Sequence, residues 1–193
     1  MPRAKQFDEA ETLEKAVLLF WKQGYHHTSV QDLVDHLGLN RGSLYNTFGG
    51  KRALFDRAFA WYRHQEVKRL RTFLEAQPNV RTGLRALFGH LIEDDCADPD
   101  AKGCFIVNTT TELIPSDPDI QQVLVHHRNA IHALLHDALT RGLQQKQIAE
   151  EIDVDAMAQL LYTLMTGLRV VGKTKPDPAR LHAMLDTTFV LLE

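Results

Sequence analysis

Cysteine is scarce in this chain: two thiols, Cys96 and Cys104, in 193 residues. Two are too few for a disulfide framework or a four-cysteine zinc site. No uncharged apolar run approaches the roughly 18 residues that a membrane-crossing helix needs. The opening Met1-Pro2-Arg3-Ala4-Lys5 leads into an acidic segment rather than an apolar one, so no secretory signal is expected. Internal repeats, low-complexity tracts and credible strand pairs are missing as well. These absences point to a soluble, cytoplasmic protein with reduced thiols, no metal, no cofactor and no membrane partner. Hydrophobic residues make up 44% and charged residues 24%, values ordinary for a globular chain, which excludes disorder as the dominant state.

The net charge of −3 hides an asymmetry. Residues 1–75 hold 12 Lys/Arg against 9 Asp/Glu, and residues 76–193 hold 10 against 16. A mildly basic front half on an acidic back half suits a polyanion-binding module joined to something else. Chance scatter produces the same counts, so charge alone does not decide.

Helical periodicity runs nearly throughout. Ala10, Leu13, Val17 and Phe20 recur at three- and four-residue steps, and Gly24 stops the run. Ser29-Val30-Gln31-Asp32 is a capping box, with Val30, Leu33, Val34 and Leu37 as the apolar face and Gly38 as the left-handed terminator. Asn40 caps a second short helix through about Phe48, with Leu44 and Phe48 inward. Gly49-Gly50 precedes a longer helix from Lys51. After residues 76–79, Leu84, Leu87, Phe88, Leu91 and Ile92 mark a helix that the acidic loop Asp94–Lys102 is expected to end. A short helix is expected over 103–114, although Val107–Thr111 has poor helix propensity and fits a strand too. Asp117-Pro118 and Asp177-Pro178 are start signals for later helices, and Asp153 opens another between them. The expectation is an all-α protein of about nine helices, with boundaries at 1–50, 51–75 (a connecting helix) and 76–193.

Residues 26–51 carry the chemistry. Two short helices joined by a tight turn at Gly38 have the layout of a helix-turn-helix, which places its second helix in the major groove. The leading residues of that helix are Arg41, Gly42 and Ser43. Arginine bonds guanine bidentately, serine bonds several base edges, and glycine lets the backbone approach. Thr28, Ser29, Tyr45 and Lys51 bring hydroxyls and charge suited to phosphate. A helical hairpin packed inside an ordinary bundle would leave Arg41, Tyr45, Asn46 and Lys51 as a polar surface without purpose.

The run Thr28-Ser29, Leu33-Val34, Leu37-Gly38-Leu39, Asn40 through Phe48, then Lys51 and Leu54-Phe55, resembles the DNA-binding domain of TetR-family transcriptional regulators over roughly residues 7–60. The resemblance implies a homodimer on a palindromic operator, usually as a repressor. It implies a divergent helical C-terminal domain that binds a small inducer and dimerises through its last two helices, here about 153–173 and 177–192. Carried onto this chain, base recognition falls to Arg41, Gly42 and Ser43, and phosphate contact to Thr28, Tyr45, Asn46 and Lys51; Ser29 and Asn40 complete the expected DNA-binding set.

In the second half, Lys102-Gly103-Cys104-Phe105 resembles a Gly-Cys start to the sixth helix in a subset of that family, some of whose members sense electrophiles or oxidants. A cysteine at a helix start beside Lys102 is expected to have a lowered thiol pKa, against which free cysteine is more often simply buried. Cys96 is expected in the preceding loop. An apolar wall with a few polar groups suggests a ligand pocket among residues 80–173, lined by Phe88, Cys104, Phe105, Asn108, Glu112 and Met165. Asn108 and Glu112 fit bonds to neighbouring helices equally well. His132 and His136 share a helix face at zinc-compatible spacing, but a polar stripe explains them better. An all-α thiol enzyme using Cys104 lacks a base–orienter set, and a protein-binding adaptor is the remaining alternative.

Overall fold

The computed structural model describes residues 8–193; the opening Met1–Lys5 segment and the start of the family-like stretch at Phe7 lie outside the described residues. Those residues form nine α-helices and no strand: α1 (Glu9–Gln23), α2 (Val30–Leu37), α3 (Arg41–Phe48), α4 (Lys51–Glu75), α5 (Val80–Ala97), α6 (Phe105–Leu113), α7 (Pro118–Gln144), α8 (Val154–Val171) and α9 (Pro178–Phe189). None of them is long and apolar enough to cross a membrane. The chain divides into two compact units, residues up to 66 and from 67 on. The division falls inside α4, the helix that the sequence pattern set apart as a connector.

In the first unit, helix starts follow local side-chain chemistry. Asp8 accepts from Ala10 N at 2.9 Å and begins α1. Leu13, Ala16, Val17 and Phe20 turn inward, whereas Ala10, expected on that face, is exposed in the first turn. The core joins them to Leu33 of α2, Leu44 and Phe48 of α3, and Leu54, Phe55, Ala58 and Phe59 of α4. Phe20 meets Phe55 edge to face at 5.2 Å, and Phe55 stacks on Phe59 at 5.5 Å. Fully buried leucines and phenylalanines of this kind contribute roughly 1.5–3 kcal/mol each relative to exposure, which holds two helices of only eight residues that would not form alone.

The second unit has a larger core. Leu84, Phe88 and Ile92 of α5 pack with Ile131, Leu135 and Leu139 of α7, Leu161 and Leu168 of α8, and Leu185 and Phe189 of α9. Phe88 lies edge to face on Phe189 at 5.8 Å. Asp117 and Asp177 each cap a helix with proline in the first turn, as their start signals predict.

Two expectations are corrected here. The acidic stretch from Asp94 does not end α5, which continues through Ala97, so Cys96 stands on its last turn and not in a loop. The reason is long-range: Asp95 is buried against Arg169 of α8, Oδ1 to Nη1 at 2.6 Å, which neutralises a carboxylate that would oppose a helix C-terminus. Burial pushes the Asp95 carboxyl above its ordinary value, and Arg169 pulls it back. The Val107–Thr111 run is helix, not strand; Thr110 and Thr111 donate to the carbonyls of Ile106 and Val107, absorbing their hydroxyls within the helix. Beyond α9 the chain closes in a tight 3-10 turn at Val190–Leu192 rather than more α-helix.

Besides Leu18, Tyr45 and Val125, the large apolar side chains left exposed lie late in the chain. Leu160, Val170 and Val171 lie on α8, and Val190 and Leu191 follow α9. On α8 they continue a stripe with exposed Ala156, Thr163 and Gly167.

Candidate nucleic-acid interface

The capping box is complete. Ser29 Oγ accepts from Asp32 N at 3.1 Å, and Asp32 Oδ2 accepts from Ser29 N at 2.7 Å. Hydrogen bonds from Ser29 first, and the Lys51 charge after them, hold the Asp32 carboxyl below its ordinary value. Gly38 ends α2 at φ 64°, a left-handed conformation that glycine adopts without a Cβ penalty, and redirects the chain toward α3. Asn40 then starts α3, its Oδ1 accepting from Ser43 N at 2.8 Å. Two caps and one glycine thus set the helix-turn-helix.

Leu44 and Phe48 pull one face of α3 into the core. The opposite face carries Arg41, Gly42, Tyr45 and Asn46, all exposed, with Ser43 half-buried at its edge. Arg41 and Gly42 therefore stand in the first turn, as a base-reading position requires. Ser29 is exposed, and its capping bond uses the hydroxyl only as acceptor, leaving its proton available to a phosphate.

Thr28 differs from its expected role. It is fully buried, and its hydroxyl donates to Gly24 O at 2.6 Å, bracing the turn before α2. Asn40 likewise spends its carbonyl on the cap.

Three residues that the motif did not single out shape this face. Gly50 has φ 123°, and a Cβ there would meet the Tyr45 ring at 3.2 Å, so the glycine lets the tyrosine lean on the backbone. Arg57 of α4 donates Nη1 to Thr47 O at 3.3 Å, lies 5.0 Å over the Phe48 ring, and pairs through Nη2 with Glu9. It fastens the end of α3 to α1 and α4. Tyr25 lies beneath Lys51, whose Nζ is 4.4 Å from the ring centre. For Tyr25 and Arg57, only the aromatic–lysine and arginine–aromatic residue types hinted at these contacts, and separations of up to 48 residues hid them.

The pocket residues lie elsewhere. Phe88, Cys104 and Phe105 are buried, Asn108 and Glu112 are half-buried on α6, and Met165 packs partly buried on the core. Asn108 ties loop and helix together, donating to Lys102 O at 2.8 Å and accepting from Lys173 Nζ at 3.0 Å. Cys104 occupies the N-cap of α6 and makes no side-chain cap bond. Lys102 has its ammonium 2.8 Å from Asp98, whose hydrogen bond raises the lysine pKa, so the positive charge expected to activate the thiol is matched by a carboxylate. Burial first and Asp95 second push the Cys96 thiol up. His132 faces Asp155 at 3.7 Å and stacks on His136 at 6.5 Å.

A helix-turn-helix with an outward α3, followed by a helical second unit, is the architecture of a DNA-binding regulator. Residues 13–58 match the family model "Bacterial regulatory proteins, tetR family", and residues 81–188 match "Tetracyclin repressor-like, C-terminal domain". The chain belongs to the TetR family of transcriptional regulators, which are DNA-binding proteins and not enzymes. It is 33% identical over 195 residues, covering 100% of both chains, to the uncharacterized HTH-type transcriptional regulator YezE of Bacillus subtilis (strain 168). It is 30% identical to the HTH-type transcriptional repressor ComR of Escherichia coli (strain K12), covering 98% of this chain and 90% of that one. Among solved structures, a cysteine mutant of the TetR-family regulator CifR in complex with 26-bp double-stranded operator DNA superposes with a TM-score of 0.86, at 26% identity, covering 99% of this chain and 100% of that one.

Proposed function

We propose that this regulator is a repressor that binds a palindromic operator as a homodimer and is released by a small-molecule inducer. The observation that carries the reading is α3 itself. Its apolar residues are buried while Arg41, Gly42, Tyr45 and Asn46 face outward behind an Asn40 cap. In this reading Arg41, Gly42 and Ser43 contact base edges, and Ser29, Tyr45, Asn46 and Lys51 contact phosphate; Thr28 and Asn40 hold the frame. The CifR complex with operator DNA supports binding to a duplex, and the ComR name supports repression.

The exposed apolar residues of α8, with Val190 and Leu191, support dimerisation, because large apolar side chains left in water at helical spacing mark an interface. A two-fold dimer requires a pseudo-palindromic site. The inducer site is assigned to the second unit, with Phe88, Cys104, Phe105, Asn108, Glu112 and Met165 as lining residues. Its mechanism is a population shift: an inducer that prefers the non-binding conformation by about 1.4 kcal/mol lowers operator affinity tenfold.

Selection of bound sequences from a random duplex pool tests the reading. Enrichment of an inverted repeat is expected, together with a dimer by sedimentation at micromolar concentration. A stable monomer that binds the selected site as well would overturn the homodimer. An inducer-bound structure with no contact from any of these lining residues would overturn the pocket.

A further inference from the structure

We propose that Tyr25 is a positioning residue for DNA binding: its ring face holds the Lys51 ammonium in place for a backbone phosphate. The proposal rests on the assignment of Lys51 as a phosphate contact. Nζ of Lys51 lies 4.4 Å from the Tyr25 ring centre and 3.5 Å from the carbonyl of His26. Lys51 is the first residue of α4, so its ammonium adds to the positive end of that helix.

The ring is itself fixed. It packs against Phe55 at 4.9 Å, Phe20 at 6.3 Å and His26 at 5.4 Å, all within the first unit. A lysine that swings freely surrenders rotamer freedom when it settles on a phosphate; one already held against a rigid ring surrenders less. An aromatic face also differs from a carboxylate in an important way. It attracts the cation through its quadrupole and leaves the full positive charge in place for a phosphate. The nearby acid, Asp32, accepts from Ser29 in the capping box and also feels the Lys51 charge.

The test replaces Tyr25 with phenylalanine and then with phenylalanines carrying progressively more ring fluorines, which keep the shape while draining the ring face of electron density. Affinity for duplex DNA of random sequence is measured over a salt series, in the Lys51 background and in Lys51→Ala. Tyr25→Phe is the reference for the fluorinated series. Affinity should then fall stepwise with fluorination, by roughly twofold to fivefold in total. In Lys51→Ala the series should be flat. A fall of equal size in both backgrounds, or no fall in either while Lys51→Ala itself weakens binding, overturns the positioning role alone. If Lys51→Ala leaves affinity and salt slope unchanged, the phosphate assignment fails and the proposal fails with it.

Discussion

The two units solve the problem of holding helices by different means. In the first, the helix-turn-helix is set by residues close in sequence, Ser29 with Asp32, Gly38 alone and Asn40 with Ser43, and Arg57 adds a longer tie to Glu9. In the second, they are far apart: Asp95 with Arg169, 74 residues on, and Asn108 with Lys173, 65 residues on. Local devices fix a small rigid surface that must match a groove. Distant ties join helices whose relative packing the whole unit decides, which suits a region proposed to shift when a ligand binds.

The largest expected effect tests the distant tie. Asp95→Asn leaves the largely covered Arg169 guanidinium without its carboxylate and should destabilise the second unit, toward the ~3–5 kcal/mol of a broken buried pair. Replacing both partners with apolar residues of similar volume should recover most of that stability. Denaturant melts of the single and double variants decide; a double variant as unstable as Asp95→Asn would show that the ion pair itself, and not only the compensation of a charge taken out of water, holds α5 to α8.

Arg41→Ala comes next. It should cost roughly 1–3 kcal/mol of operator binding per half-site and relax preference at one base pair, while leaving stability unchanged. Lys51→Ala should weaken binding to all sequences alike. It should also reduce the slope of log affinity against log salt by about 0.9 for each phosphate the variant no longer neutralises. Titrations of both variants on operator and scrambled duplexes separate the two roles. If Lys51→Ala alters base preference and Arg41→Ala only flattens the salt slope, the placement of α3 in the groove is wrong.

The smallest effects test the local devices. Ser29→Ala should cost the first unit about 1 kcal/mol by removing the cap, read by hydrogen exchange in α2. Asp32 adds a pH dependence. Its carboxyl is held low in the folded protein, so its contribution is present above the ordinary aspartate value and lost as pH falls through the lowered one. Asp32→Asn should therefore be less stable than the parent near neutrality, and the gap should close in acid. A gap independent of pH would mean that the side-chain shape, not its charge, caps α2.

The contrast between the units also explains which parts of the molecule could be recognised in advance. Gly38, Asn40 and the Ser29–Asp32 pair state their conformations within a few residues, so the helix-turn-helix and the exposed face of α3 were legible. The Asp117-Pro118 and Asp177-Pro178 starts were legible for the same reason. Asp94-Asp95-Cys96 misled, because a polar run at a helix end looks like a loop until Arg169 arrives from another helix. Thr28 misled in the opposite sense: a hydroxyl beside a recognition motif suggests phosphate, but burial turned it onto Gly24 O.

By itself the sequence determined the all-α class, the caps and terminators of the helix-turn-helix, and the membership that those residues announce. Periodicity and capping are properties of a few consecutive residues, and short-range hydrogen bonds settle them before the chain collapses. Tertiary structure alone decided that Asp95 lies inside and finds Arg169, that Arg57 clamps Thr47 and Phe48 while pairing with Glu9, and that Tyr25 lies under Lys51. Each of these is a meeting between side chains and backbone brought together by the fold, and which groups meet depends on how several buried faces pack at once. No window of sequence contains that information, because the free energy that selects each pair belongs to the assembled core.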